Sequence, residues 1–150
     1  MINFFYIIIL LIPDILLKYF FINNFKNLNI IEIIPYFLNI VFVRNYGAIF
    51  GILSGYNFMF ILISLMLILI LLFNHLMLNN RWSLILILTG IFGNLIDRCF
   101  YGFVIDFIDI HIGGQLHYPS FNLSDCFICI GIAMLLFTKV CQNKTNKAKI

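Results

Sequence analysis

Charge is what this sequence lacks most. Only 10% of its 150 residues are charged, whereas soluble domains contain about 25% charged residues. The hydrophobic fraction is 63%, and the mean hydropathy is +1.09. A soluble protein of this composition could not cover its surface with polar groups, so we expect an integral membrane protein. The length allows one domain, residues 1–150, without a large soluble module.

Cysteine and histidine are scarce, which argues against a disulfide framework and against a metal centre. The four cysteines form no even, loop-borne pattern. Cys126 and Cys129 have a redox or metal spacing, but they lie in an apolar segment and are expected to pack as small apolar residues. His111 and His117 flank a glycine pair, and a zinc site would need more ligands at closer spacing. We expect no metal and no cofactor.

Four apolar segments each approach the ~20 residues that a membrane helix needs. They span residues 4–22, 58–78, 82–100 and 123–140. Helices are expected because a chain with four spans cannot close a barrel. The first segment lacks a basic start and a small-residue cleavage site, so it is interpreted as a membrane helix and not as a signal peptide. The predicted fold class is an all-α membrane protein with four transmembrane helices.

Lysines at the C-terminal end set the predicted orientation. Residues 141–150 form a basic tail, and such a tail beside a membrane helix usually marks the cytoplasmic side. With four spans, both termini then lie in the cytoplasm. No basic face extends beyond the tail, so nucleic-acid binding is not expected.

The segments on the opposite, outer side differ from each other. Residues 23–57 contain a stretch rich in β-branched and aromatic residues, Phe37–Arg44, which predicts a strand. A turn is predicted at Asn45–Gly47. We therefore expect a small β element on the outer membrane surface, and an outer loop over residues 101–122.

Most of the acidic residues lie in or beside the predicted membrane spans, where burying a carboxylate costs free energy. A carboxylate at the centre of a membrane helix costs about 2.5–3.5 kcal/mol on insertion scales. Five of the six acidic residues are nevertheless aspartates in or beside the predicted spans: Asp14, Asp97, Asp106, Asp109 and Asp125. The alternation of spans brings nearly all the polar groups to the outer face. One polar site at the outer interface is therefore predicted.

Asp106 and Asp125 are the strongest catalytic candidates. Two nearby carboxylates cannot easily both ionise, so one stays protonated. Such a pair offers a base that activates water and an acid that polarises a carbonyl. The residues alone leave open a local role, in which Asp125, with Asn122 before it, favours the positive start of the fourth helix.

Two other functions are compatible with part of the pattern. A small transporter or channel could use intramembrane acids to relay protons or ions. That function requires charges near mid-bilayer with routes to both faces, whereas here they gather at one face. A binding protein without catalysis is the other alternative, and only activity can exclude it.

Five sequence blocks resemble, in order and spacing, those of lipoprotein signal peptidase, the type II (prolipoprotein) signal peptidase of bacteria. The blocks are Asp14 with Lys18, Asn45–Phe50, Gly93–Arg98, Gly102–Phe107 and Phe121–Asp125. The family commonly has alanine where Ile49 and Ser124 stand here. The resemblance covers about Asp14 to Gly131. With it, the alternative without catalysis becomes a catalytically silent homologue that binds lipoproteins.

The resemblance implies a membrane aspartyl endopeptidase without a metal. It would remove the signal peptide from diacylglyceryl-modified prolipoproteins, cutting just before the lipidated cysteine by water activation between two aspartates. It implies four membrane helices and a small β-cradle on the periplasmic face. The protein would lie in the bacterial cytoplasmic (inner) membrane, with the active site facing the periplasm. Expected partners are these substrates and membrane lipids, and a monomer would suffice.

The resemblance also assigns residue roles. Asp106 and Asp125 would be catalytic. Asn45 and Arg98 would bind backbone carbonyls of the substrate. The other two pocket residues, which would also orient the dyad, are Asn94 and Asn122.

Three further polar residues are expected to be structural. Asp14 and Lys18 lie one helical turn apart and would pair with each other. Asp97 would hold its helix end against Arg98 or Lys18.

Overall fold

Four apolar helices and one small sheet make up the part of the chain that the computed structural model describes. The described residues are 4–25, 30–47, 53–74, 80–113 and 116–147, with the backbone only over 116–117 and 143–147. The helices are α1 (Phe4–Asn24), α2 (Asn57–Phe73), α3 (Arg81–Tyr101) and α4 (Leu123–Lys147). The strands are β1 (Ile31–Ile34), β2 (Leu38–Asn45), β3 (Val104–Ile112) and β4 (Leu116–His117).

Three helices are long and apolar enough to cross a membrane: α1, α3 and the Leu123–Gln142 part of α4. Helix α2 is equally apolar but has only 17 residues. At about 1.5 Å per residue it is roughly 25 Å long, which is less than the ~30 Å hydrocarbon core. The second span was predicted over residues 58–78, but α2 ends at Phe73. Residues 75–78 lie outside the described part of the chain. The structure thus shows three helices long enough to span a membrane, and a shorter apolar helix at the position of the second predicted span.

Helix α3 is the centre of the helical layer. It packs against α1, α2 and α4. In the apolar 18-residue stretch of α3, 67% of the residues are buried, compared with 22% in the matching stretch of α1 and 11% in that of α4. The exposed sides of the outer helices are themselves apolar, with Leu16, Phe58 and Phe137 more than half exposed. Exposed apolar side chains of this kind suit contact with lipid, so the structure agrees with a multi-pass membrane protein.

Helix α3 begins and ends at residues whose local chemistry explains its bounds. The side chain of Asn80 accepts hydrogen bonds from the backbone N–H groups of Trp82 and Ser83, which caps the first turn. At the other end Gly102 has φ of +80° and donates its N–H to the carbonyl of Arg98. Glycine adopts this left-handed conformation without a Cβ penalty, and the chain then turns directly into β3.

Contrary to the expected loop over residues 101–122, this segment contributes two strands. The sheet has the order β1-β2-β3-β4, and each neighbouring pair is antiparallel. Six of the nine residues of Val104–Ile112 are β-branched or aromatic, which is typical of a strand, but its two aspartates and one histidine led to the prediction of a loop. The predicted strand 37–44 is confirmed as β2, and the segment 23–57 supplies only half of the sheet.

The C-terminal tail differs as well. Helix α4 continues through Lys147, so most of the predicted basic tail, 141–150, is a helical extension. Residues 148–150 lie outside the described part of the chain.

Candidate active site

The alternation of β3 directs Asp106 away from the apolar core. Successive side chains of a strand point to opposite faces. Ile105 and Phe107 pack in a cluster with Phe21 and Phe42, and the Phe107 ring stacks on that of Phe21 with centroids 4.7 Å apart. Asp106 must therefore face the other side of the sheet, where a cavity lies.

The neighbouring strand is irregular beside this residue. In the pairing of β2 with β3, Ile40 opposes Ile108 but Val43 opposes Asp106, so β2 carries one extra residue between them. Bulges of this kind bend the strand and redirect side chains next to active sites. Beyond the bulge, Asn45 at the end of β2 reaches Asp106, with Nδ2 donating to Oδ2 at 2.9 Å.

Asp125 is placed by the start of α4. The backbone N–H of Asp125 donates to Oδ1 of Asn122 at 3.0 Å, and the backbone N–H of Asn122 donates to Oδ2 of Asp125 at 3.1 Å. This reciprocal pair is a capping box. The local role at the start of α4 that the sequence left open for Asp125 is therefore present. It orients the carboxylate and leaves it able to take part in chemistry.

Three asparagines hold the two carboxylates. Nδ2 of Asn122 donates to Oδ1 of Asp106 at 2.7 Å and to Oδ1 of Asn94 at 3.2 Å. Nδ2 of Asn94 donates to Oδ1 of Asp125 at 2.8 Å. Together with the side chain of Asn45 and the backbone N–H of Asn122, these amides give each carboxylate oxygen one donor. The two acids that were predicted to work together therefore share one hydrogen-bond network.

Both carboxylates line a cavity of about 840 Å³. Arg98 lines it too, with its guanidinium 5.1 Å from the ring centroid of Phe60 and Nη2 donating to the Gly47 carbonyl at 3.4 Å. The cavity also contains Asn45 and Asn94. Its volume and largely apolar walls suit an extended apolar chain.

Asn122 was expected to line the pocket and to orient the dyad, and its position differs from the first of these two expectations. It is 0% exposed, and it is not among the described residues that line the cavity. The capping box and the bond to Asp106 draw its side chain beneath the dyad. Asn122 can therefore orient both carboxylates but cannot touch a ligand in the cavity.

Burial changes the protonation of Asp106. Desolvation, and then the nearby negative charge of Asp125, raise the pKa of Asp106 to about 7, although hydrogen bonds from Asn45 and Asn122 and the charge of Lys18 lower it. A proton on one of two close carboxylates is thus retained near neutral pH.

The residues predicted to be structural form a second buried cluster beside the dyad network. Nζ of Lys18 lies 2.8 Å from Oδ2 of Asp14 and 2.9 Å from Oδ2 of Asp97. Asp97 also accepts the backbone N–H of Ile105 at 3.1 Å, which ties the end of α3 to β3. Asp14 accepts both the N–H and the hydroxyl of Ser124, at 3.0 and 2.7 Å. Two carboxylates around one ammonium, with further donors, limit the cost of burying these charges.

Asp109 stands apart from the dyad. It accepts a hydrogen bond from Nδ2 of Asn39 at 3.1 Å and lies 3.9 Å from Nδ1 of His111. It is not among the described residues that line the cavity. Across the described ranges, no three His, Cys, Asp or Glu side chains converge in a geometry that could hold a metal ion.

Sequence reasoning missed part of the cavity wall. Cys126 and Cys129 line it, whereas they were predicted only to pack. Cys129 follows Asp125 by about one helical turn, so helical periodicity could have placed it on the same face. Cys126 is the next residue after Asp125, and periodicity gave no such signal for it. Phe60 of α2 carried no signal, since nothing in an apolar run distinguishes the residue that meets Arg98. Ile49 and Phe50 of the resembling blocks lie outside the described residues.

Comparison with known proteins identifies the family. Residues 6–141 match the profile of signal peptidase (SPase) II. The chain is 39% identical over 134 residues to a lipoprotein signal peptidase of Thermodesulfovibrio yellowstonii, covering 87% of this chain and 89% of the relative. It is 41% identical over 140 residues to one of Wigglesworthia glossinidia brevipalpis, covering 89% and 90%.

A solved structure described as a bacterial membrane enzyme has the same fold. It superposes with a TM-score of 0.82 at 32% identity, over 95% of this chain and 89% of the other. The family match spans nearly the whole chain, including every residue of the cavity network. The chain is therefore a multi-pass membrane protein that belongs to the signal peptidase II family of proteases.

Proposed function

We propose that the chain is an aspartyl endopeptidase that removes the signal peptide from diacylglyceryl-modified prolipoproteins, just before the lipidated cysteine. The observation that carries the proposal is the pairing of Asp106 and Asp125 on one cavity through Asn122. The relatives are lipoprotein signal peptidases, which supports the choice of substrate.

The proposed reaction needs one proton on the dyad. Below pH about 7, Asp106 carries that proton, and it donates to the scissile carbonyl oxygen as that oxygen becomes negative. Asp125 takes a proton from the water that attacks the carbonyl carbon. The tetrahedral intermediate then collapses: Asp125 gives its proton to the nitrogen of the leaving cysteine amine, and Asp106 takes a proton back from a hydroxyl of the intermediate. The signal peptide leaves with a new carboxyl group.

The other cavity residues have proposed binding roles. Asn45 and Arg98 reach the cavity beside the dyad and would donate to substrate backbone carbonyls, while Asn94 orients Asp125. The apolar walls, including Phe60 and Ile128, would receive the signal helix and the acyl chains. The peptide is thereby fixed with its scissile bond at the water.

Membrane placement follows from the same site. We propose that all four helices span the bacterial inner membrane, with the short α2 accommodated by local thinning of the bilayer. The C-terminal lysines favour cytoplasmic termini, so the sheet and the dyad would lie on the periplasmic face, where water reaches them. A monomer in contact with membrane lipids contains every proposed group.

The activity should fall as pH rises through about 7, since ionisation of Asp106 removes the acid. In Asn45→Leu this falling limb is expected to move to higher pH, because the lost hydrogen bond from Asn45 had stabilised the ionised carboxylate. The measurement is kcat against pH in detergent.

Asn39→Leu is the matched control. It removes the same amide from β2, but from Asp109 rather than from Asp106. Its profile should match that of the unaltered protein. A limb that stays in place in Asn45→Leu, or moves equally in both variants, would contradict the assignment of the acid to Asp106.

The proposed substrate is tested with two forms of one prolipoprotein, one diacylglyceryl-modified and one in which serine replaces the acceptor cysteine. The purified protein should shorten the modified form, with lipidated cysteine at the new N-terminus by mass spectrometry. Equal cleavage of both forms would reject lipid recognition. Cleavage of neither form by folded protein would reject the proposed function.

A further inference from the structure

Lys18 makes one contact that its ion pairs do not require. It is 1% exposed, and the carboxylates of Asp14 and Asp97 already lie within 3 Å of its ammonium. Its Nζ also donates to Oδ1 of Asn94 at 3.1 Å. Asn94 is the residue that donates to Asp125, so Lys18 is one side chain away from the dyad.

That contact dictates how the amide of Asn94 is turned. A lysine ammonium has donors only, so the Asn94 atom that faces it must be the oxygen. Asn122 adds a second donor to the same oxygen. With Oδ1 held on this side, Nδ2 faces Oδ1 of Asp125 at 2.8 Å. If the amide were reversed, its NH₂ group would face the donors of Lys18 and Asn122, and its oxygen would face the carboxylate of Asp125.

We propose that Lys18 is a positioning residue for peptide hydrolysis, which locks the Asn94 amide so that it holds the Asp125 carboxylate at the attacking water. This inference rests on the proposed function and extends it to a residue outside the cavity. The positive charge of Lys18 also favours the ionised form of Asp106.

A double-mutant cycle tests this role. Lys18→Met and Asn94→Leu are each expected to lower kcat by about 100-fold, the scale that a misplacement of about 1 Å produces, with KM within about threefold. If Lys18 acts through Asn94, the double variant should also lose only about 100-fold. Losses that multiply to about 10⁴-fold would overturn the proposal, as would a change confined to KM.

Two further measurements distinguish the proposed positioning role of Lys18 from a purely structural role. Ser124→Ala removes the hydroxyl bond to Asp14 but none of the hydrogen bonds that Asn94 makes with Lys18, Asn122 and Asp125. It should lower the unfolding temperature while kcat is kept. In Lys18→Met the falling limb of the pH profile should move to higher pH. If Ser124→Ala lowers kcat as much as Lys18→Met, general loosening explains both and the proposal fails.

Lys18→Met leaves two buried carboxylates without a counter-charge and can prevent folding. The same cycle is then run in an Asp97→Asn background, which keeps an oxygen for the Ile105 N–H and leaves Asp14 held by Ser124. The expected and contradicting results are unchanged, with Asp97→Asn as the reference. Absence of cleavage by the unaltered protein would reject the proposed function, whereas multiplicative losses in an active protein reject only the role of Lys18.

Discussion

Replacing either Asp106 or Asp125 with asparagine is expected to lower kcat by about 10⁴-fold. Each change removes a group that transfers a proton while keeping the size of the side chain. One hydrogen bond is also lost, because each carboxylate accepts two amide donors and an amide can accept only at its oxygen. Binding of the prolipoprotein should survive. Single-turnover cleavage and a pull-down with the lipidated substrate measure the two effects separately.

Asp109→Asn is the control for this pair. It removes the same charge from the same strand as Asp106, from a buried site outside the cavity lining. Cleavage should stay within about threefold of the unaltered protein, since the effect on chemistry is only through distant charge. If one dyad variant kept activity near that of Asp109→Asn, the two-aspartate mechanism would be wrong.

The second large effect is expected where α3 and α4 touch. A Cβ built on Gly90 would overlap the backbone carbonyl oxygen of Ser124 and would lie 2.6 Å from Cγ1 of Ile128. The first of these atoms belongs to the backbone, so α4 as a whole must move away. Gly90→Ala should therefore lower the free energy of unfolding by about 1–3 kcal/mol. It should also lower kcat by about 100-fold, because the bond between Asn94 and Asp125 bridges the same two helices.

Gly55→Ala provides the comparison. A Cβ there meets no atom within 4 Å, although φ of +94° adds backbone strain. That variant should lose stability by the strain alone and keep kcat. Thermal unfolding in detergent and the cleavage rate are measured for both variants to compare their stability and kcat. Gly90→Ala with unfolding and kcat like those of Gly55→Ala would show that the two helices are not in close contact.

The helices and the two acids could be predicted from local sequence patterns. Long apolar runs locate α1 and α3 to within a few residues, since burial in lipid demands continuous hydrophobicity. Asp106 and Asp125 were identifiable because a carboxylate in such a chain is costly. The resemblance then supplied the order of the blocks, which spacing alone did not.

The missed features depend on contacts between distant parts of the chain. Strand β3 was taken for a loop although six of its nine residues are β-branched or aromatic; its pairing with β2 and its packing on Phe21 of α1 could not be foreseen. The burial of Asn122 likewise follows from the meeting of α4 with β3. Ser124 stood out only as a departure from the family pattern, yet its hydroxyl binds Asp14, 110 residues away. Long-range partners of this kind cannot be inferred from periodicity or spacing.

The most direct test of the two-aspartate reaction is the mass of the released signal peptide after a single turnover in H₂¹⁸O. Attack by a water held between Asp106 and Asp125 predicts one ¹⁸O atom in the new carboxylate and none in the lipidated product. Release of an unlabelled signal peptide in the first turnover would mean that the oxygen came from an enzyme carboxylate through a covalent intermediate. That result would contradict water activation by the dyad.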